Sequence, residues 1–143
     1  MSKETNVALL SQWLELWSGN LALADEIIGP NFVGHFPPTT SRSNEVHGSP
    51  ALKEWIQMTL ALFTNVQLTL DGDSVADEDK IVGRWLFRGT YHGGLPGATT
   101  PVGAQIAFHG IDILRIADAK IVEYWVSSDG MYLMQQLGVL PPS

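Results

Sequence analysis

The sequence predicts an α+β fold with its helices first and a mostly antiparallel sheet afterwards, and three observations carry that expectation. Apolar residues recur at helical spacing as far as Phe63, the period changes to that of strands from Asn65 onward, and turn-rich stretches separate the strand-like runs. At 143 residues the chain has the size of one domain with one sizeable core. No repeat or linker divides residues 1–143, so a single domain is expected.

Between Asn6 and about Ile28, the residues Leu9, Leu10, Trp13, Leu16 and Trp17 share a helical face. Gly19-Asn20 breaks this helix, and a second, shorter one is stopped by Gly29-Pro30. Asn31 to Phe36 alternates like a short strand, and Pro37 to Gly48 is a polar Pro/Ser/Thr-rich loop suited to cover a pocket mouth. Ser49-Pro50 starts a third helix, with Ser as N-cap and an apolar stripe of Leu52, Trp55, Ile56, Leu60 and Phe63 that should close over a sheet. Strands are expected over Val66 to Leu70, Ile81 to Tyr91, Ala104 to Ile116 and Ile121 to Ser127. Gly130 to Leu137 reads as a short apolar helix stopped by Gly138.

Composition narrows the functional classes. Fifteen acidic against eight basic residues give a formal charge of -7, which repels polyanions, and Arg84 with Arg88 is too small a patch to reverse it. Nucleic acid is therefore set aside as a partner. The absence of Cys excludes disulfides, zinc–thiolate sites and cysteine nucleophiles, in keeping with a reducing cytoplasm. No apolar run approaches the roughly twenty residues of a membrane span, and the polar start lacks the order of a secretory signal. A soluble cytoplasmic protein, with no membrane partner, is expected. The 45% hydrophobic fraction with five Trp leaves enough apolar surface for a cavity or a subunit interface. The four His show no metal-binding spacing, so no metal is expected, and no phosphate loop, dinucleotide fingerprint or Gly-x-Ser-x-Gly elbow is present.

The ordered fragments Arg88-Gly89-Thr90-Tyr91-His92-Gly93, Pro101-Val102-Gly103, Asp112-Ile113-Leu114-Arg115-Ile116 and Lys120-Ile121-Val122-Glu123-Tyr124-Trp125, followed by Asp129, resemble the SnoaL-like polyketide cyclases of the nuclear transport factor 2-like superfamily. Gly48 to Lys53 and Gln136-Leu137-Gly138 extend the resemblance over nearly the whole chain. It implies a cone of three helices packed into a curved sheet around an apolar pocket. It also implies ring closure by intramolecular aldol condensation without metal or cofactor, on a small hydrophobic carbonyl compound, with an Asp as general acid/base. That Asp follows the Glu-x-Trp of the last strand, which here is Asp129. The superfamily also holds isomerases, dehydratases, epoxide hydrolases and non-catalytic binding modules, so these remain alternatives. Ala119 and Tyr124 depart from the family pattern, which more often has Gly and His there.

The hairpin around Asp118-Ala119 decides which side chains share a face, because a one-residue slip reverses every one of them. A two-residue turn pairs Ile116 with Ile121 and groups Asp129 with Phe108, Asp112 and Trp125. A three-residue turn pairs Ile116 with Lys120 and groups Asp129 with His109, Ile111, Ile113, Arg115, Glu123 and Trp125. The second is favoured because it lets Arg115 meet Glu123. It puts His109 beside Asp129 as an acid/base pair, and separates Arg115 from Asp112, against an epoxide hydrolase. Asp129 is equally well placed to cap the last helix, His109 to satisfy a backbone carbonyl, and Asp112 to be a solvated strand residue opposite Tyr124. His35, Trp55, Trp85, Phe87, Tyr91 and Trp125 are expected in or near the pocket wall. A homodimer or higher homo-oligomer through the outer sheet face is expected from the family.

Overall fold

The computed structural model describes residues 2–36 and 45–141. Most of the loop expected over the pocket mouth, residues 37–44, lies outside them.

Helix α1 (Lys3–Trp17) starts where the Ser2 hydroxyl accepts the Thr5 N–H at 3.1 Å, filling one of the donors left open at a helix start. Its apolar stripe buries Leu9, Leu10, Trp13, Leu14 and Leu16. Helix α2 (Leu23–Ile27) ends where expected, and Gly29-Pro30 runs on into strand β1 (Ile28–His35). Glu45–His47 is a short strand, β2, antiparallel to β1. Helix α3 (Gly48–Leu60) follows directly, because Gly48 at φ +83° lets the chain turn sharply out of β2. Its N-cap position is held by His47 and not by Ser49, whose hydroxyl donates to Asp25 at 3.3 Å instead.

The remaining strands are β3 (Phe63–Leu70), β4 (Val75–Ala76), β5 (Lys80–Tyr91), β6 (Gln105–Ala117) and β7 (Lys120–Ser128), before helix α4 (Gly130–Gln136). Phe63, expected on the third helix, opens β3 opposite Tyr91. The seven strands form one curved sheet in the order β2-β1-β7-β6-β5-β3, with β4 on β5. Pairing is antiparallel except between β1 and β7. Burial alternates along β5 and β6, so odd residues of β5 and even residues of β6 face inward. The buried indole of Trp13 on α1 meets Tyr124 of β7 at a ring-centroid distance of 4.6 Å, so α1 packs into the concave side.

The β6–β7 hairpin corrects the favoured turn. Asp118 and Ala119 both have positive φ, 51° and 60°, and make a two-residue turn with Ile116 opposite Ile121. Val122 is then an extra, unpaired residue on β7, and this bulge shifts the register so that Arg115 lies opposite Glu123, Ile113 opposite Trp125 and Asp112 opposite Val126. A bulge reverses the face of all that follows it. The grouping of His109, Ile111, Ile113, Arg115, Glu123 and Trp125 on one face is therefore present, reached by another turn, and it is the convex face.

Candidate active site

The concave face closes on a cavity of about 210 Å³. Strands β5, β6 and β7 supply Trp85 and Phe87, Phe108 and Asp112, and Tyr124, Val126 and Ser128. Trp17 of α1 and Trp55, Thr59 and Leu60 of α3 face them, with Phe36, Phe63 and Leu68 between and Leu133 of α4 at one end. Among the described residues, Asp112 is the one carboxylate of this lining, and the lining holds no Lys or Arg.

Asp112 sits on the inward parity of β6 and is 2% exposed. Trp13 Nε1–H donates to its Oδ2 at 3.0 Å, and the Tyr124 hydroxyl donates to its Oδ1 at 3.2 Å. Loss of water pushes its pKa up to about 6, against the pull of Trp85, Trp13 and Tyr124, whose N–H and O–H groups favour the charged form. The buried Trp85 Nε1–H acts on this charge from nearby without closing a hydrogen bond of full geometry. Tyr124, wholly buried beside the carboxylate, is pushed well above the usual phenol value by burial and the Asp112 charge, so it stays a donor. A carboxylate that titrates near neutrality in an apolar wall can both take and return a proton.

The expected site residues divide between the two faces. Trp55, Trp85 and Phe87 line the cavity. Tyr91 is buried beside it in the core, its ring edge-on to Phe63 and its hydroxyl oxygen accepting the Leu95 N–H at 3.2 Å. His35 and Trp125 lie on the convex face, stacked at 5.4 Å, with His35 Nε2 2.7 Å from Glu123. Arg115 reaches the same Glu123 at 2.9 Å, as the sequence suggested. His109 is also convex, its Nε2 3.2 Å from Asp71, which Arg84 pairs with as well. Asp129 is exposed at the N-cap position of α4, makes no side-chain cap, and gives its backbone N–H to the His109 carbonyl at 2.9 Å. The two residues thus meet through backbone, and the imidazole points away from the cavity. The preceding residue, Ser128, does line the cavity, which places Asp129 next to its rim.

Asp112 is the correction with the largest consequence: it is buried and bonded, not solvated, and Leu114 rather than Asp112 stands opposite Tyr124. A signal for it exists in the sequence. Ile106, Phe108, Gly110, Asp112, Leu114 and Ile116 form the apolar parity of β6, and the alternate set holds His109 and Arg115. A lone Asp in the apolar set marks a buried acid.

A curved open sheet wrapped by helices around an apolar cavity with one buried acid defines the class of the ketosteroid isomerase-like and nuclear transport factor 2-like cones. Within that class, the chain belongs to the SnoaL-like polyketide cyclase family, whose family model matches residues 7–137. Solved structures agree. IdmH from Streptomyces antibioticus, a candidate polyketide cyclase, is 27% identical with a TM-score of 0.79, covering 94% of this chain and 99% of its own. AclR from Streptomyces galilaeus, a candidate hydroxylase, is 26% identical with a TM-score of 0.82, covering 99% and 86%. A Catenulispora acidiphila protein with a ketosteroid isomerase-like fold, 17% identical with a TM-score of 0.72 over 92% and 93%, shares the fold. Among curated proteins, none matches the chain significantly. No helix among the described residues is long and apolar enough to cross a membrane.

Proposed function

We propose that the protein is a cyclase-type enzyme that acts on a small hydrophobic carbonyl compound by cofactor-free acid/base chemistry, with Asp112 as the base. The supporting observation is a single buried carboxylate with a pKa of about 6 in the wall of an otherwise apolar cavity. The Asp112 carboxylate takes a proton from a carbon flanked by carbonyl groups, and the C–H electron pair becomes an enolate. The enolate carbon attacks a second carbonyl of the same molecule, whose π pair moves to oxygen. That alkoxide recovers the proton from Asp112, so the product is an isomer of the substrate. The aromatic walls hold a flexible chain in reactive geometry and keep the carboxylate basic.

The ionised carboxyl is the working form, so kcat/KM rises as pH increases through about 6 and then levels. The test is hydrogen–deuterium exchange next to the carbonyl in small cyclic ketones, followed by NMR in D₂O. Asp112→Asn is expected to slow exchange by about 10²–10⁴-fold, the usual contribution of a positioned base. Asp129→Asn is expected to change it less than about tenfold, because Asp129 lies outside the cavity lining. The reverse pattern transfers the role to Asp129, the residue the family pattern points to.

A further inference from the structure

Among the described residues, the cavity lining holds no Lys or Arg, so no fixed cation meets the negative charge that leaves Asp112 when its carboxylate takes a proton. A neutral donor set near the substrate oxygen would meet that charge where it develops. The lining hydroxyls are those of Thr59, Tyr124 and Ser128. Thr59 gives its proton to the Trp55 carbonyl at 3.1 Å, and Ser128 is exposed at the end of β7. Tyr124 is buried, and its hydroxyl is the one of the three that meets Asp112.

The two oxygens of Asp112 are held differently. Trp13 Nε1–H reaches Oδ2 at 3.0 Å from α1, and Trp13 forms no part of the cavity wall. Tyr124 does line the cavity, and its hydroxyl reaches Oδ1 at 3.2 Å. Oδ2 is therefore tied back to the helix, and Oδ1 is the oxygen on the cavity side. A hydroxyl bound to an ionised carboxylate usually lies at roughly 2.5–2.7 Å, so the Tyr124 bond is a long one. The phenol ring is fixed between Trp13 and Phe36, at 4.6 and 5.2 Å, and rotation about its Cζ–O bond alone re-aims the proton. Tyr124 stands where the family pattern more often has His, so this hydroxyl is a feature of the present chain.

We propose that Tyr124 is a second catalytic residue, whose hydroxyl turns from Asp112 Oδ1 to the enolate oxygen of the substrate as Oδ1 takes the proton from carbon. This rests on Asp112 being the base, as proposed above. The C–H bond breaks, an Oδ1–H bond forms, and the C–H electron pair passes to the carbonyl oxygen. Asp112 is then neutral and attracts the hydroxyl less than the new anion does. The phenol keeps its own proton throughout, because burial beside a carboxylate holds it well above the usual phenol value. When the alkoxide of the closed ring recovers the proton from Oδ1, the hydroxyl returns to the carboxylate. Trp13 is a positioning residue, since it holds Oδ2 and touches no reacting atom.

Tyr124→Phe and Trp13→Phe, compared across pH in the ketone exchange assay, separate the two roles. Each variant loses one donor that favours the charged carboxylate, so in both the midpoint of the pH profile should move above about 6. Tyr124→Phe should also lower the plateau above that midpoint by about 10²-fold, the scale of one lost oxyanion donor, with KM held. Trp13→Phe should change the plateau less than about tenfold. A shifted midpoint with the parent plateau in Tyr124→Phe makes Tyr124 a positioning residue only and overturns the proposal. Binding of 4-nitrophenolate to Asp112→Asn needs no turnover: the anionic oxygen stands in for the enolate, and the neutral amide for the protonated acid. The Tyr124 ¹³Cζ resonance should move as this anion binds, and adding Tyr124→Phe should weaken binding about tenfold or more. An unmoved resonance, equal affinities or no binding overturns the handover. Loss of exchange in Asp112→Asn but not in Tyr124→Phe overturns this inference alone, whereas full exchange in Asp112→Asn overturns the base assignment and this inference with it.

Discussion

On the concave face Asp112 is shut away from water among aromatic rings, and its carboxyl is pushed up to about 6. On the convex face of the same sheet Glu123 lies between His35 and Arg115, and its carboxyl is held below the usual range, first by the His35 hydrogen bond and then by Arg115. The two acids sit on neighbouring strands, so strand position does not separate them. What differs is the company. Glu123 keeps part of its solvent and has a cation beside it, whereas Asp112 has only neutral donors, which soften the cost of burial and leave it uncancelled. The sheet thus spends stability on one face to hold a carboxylate more basic than usual, and regains a little on the other.

The comparison breaks first at Asp112. Its folded pKa exceeds the ordinary 3.8, so the folded state binds the proton more tightly than the unfolded chain does. Its contribution is most favourable below about pH 4 and is lost as pH rises through about 6, a change on the order of 3 kcal/mol. Urea unfolding of Asp112→Asn against the parent protein should show the variant gaining that much between pH 4 and pH 7. A difference constant with pH would mean the carboxyl is not shifted.

Next in size is the platform beneath the cavity wall. Gly110 pairs with Trp85 across β5 and β6, and a Cβ there would stand only 2.1 Å from Cζ2 of the indole. Gly110→Ala should cost about 1–3 kcal/mol, as overpacking does, and displace Trp85. The fluorescence of Trp85 and non-additivity with Trp85→Leu are the readouts. Additive effects would show that the two residues do not share the contact.

The smallest effect belongs to the convex face. Glu123→Gln should cost at most about 1 kcal/mol at neutral pH and less in high salt. Because the carboxyl pKa is lowered, that contribution is present above the ordinary value of 4.5 and is lost as pH falls through the folded pKa. The same cost at pH 3 as at pH 7 would assign the loss to packing instead of charge.

Much of the fold was legible before any coordinates. Leu9, Leu10, Trp13 and Leu16 marked α1, and the alternation in Ile81 to Tyr91 and Ala104 to Ile116 marked β5 and β6, because burial on one face imposes its period on the residues. Trp55, Trp85 and Phe87, expected in or near the pocket wall, line the cavity. His109 and Trp125 do share a face, as the favoured register requires, but it is the convex face and not the cavity face, which the hairpin alone does not decide. Two left-handed residues made the turn shorter, and the Val122 bulge restored the parity one step later.

By itself, then, the sequence determined the helices, the five longer strands, the α+β order and the pairing of Arg115 with Glu123, all of which follow from local periodicity and charge, but not the short strands β2, inside the expected loop, and β4. Only the tertiary structure decided which parity of β6 and β7 faces inward, and so that Asp112 and not His109 meets the cavity. Helices α1 and α3 exclude water from one face of the sheet and leave the other wet. Whether a carboxylate is a solvated surface charge or a buried base depends on that exclusion, which no single strand carries in its own residues.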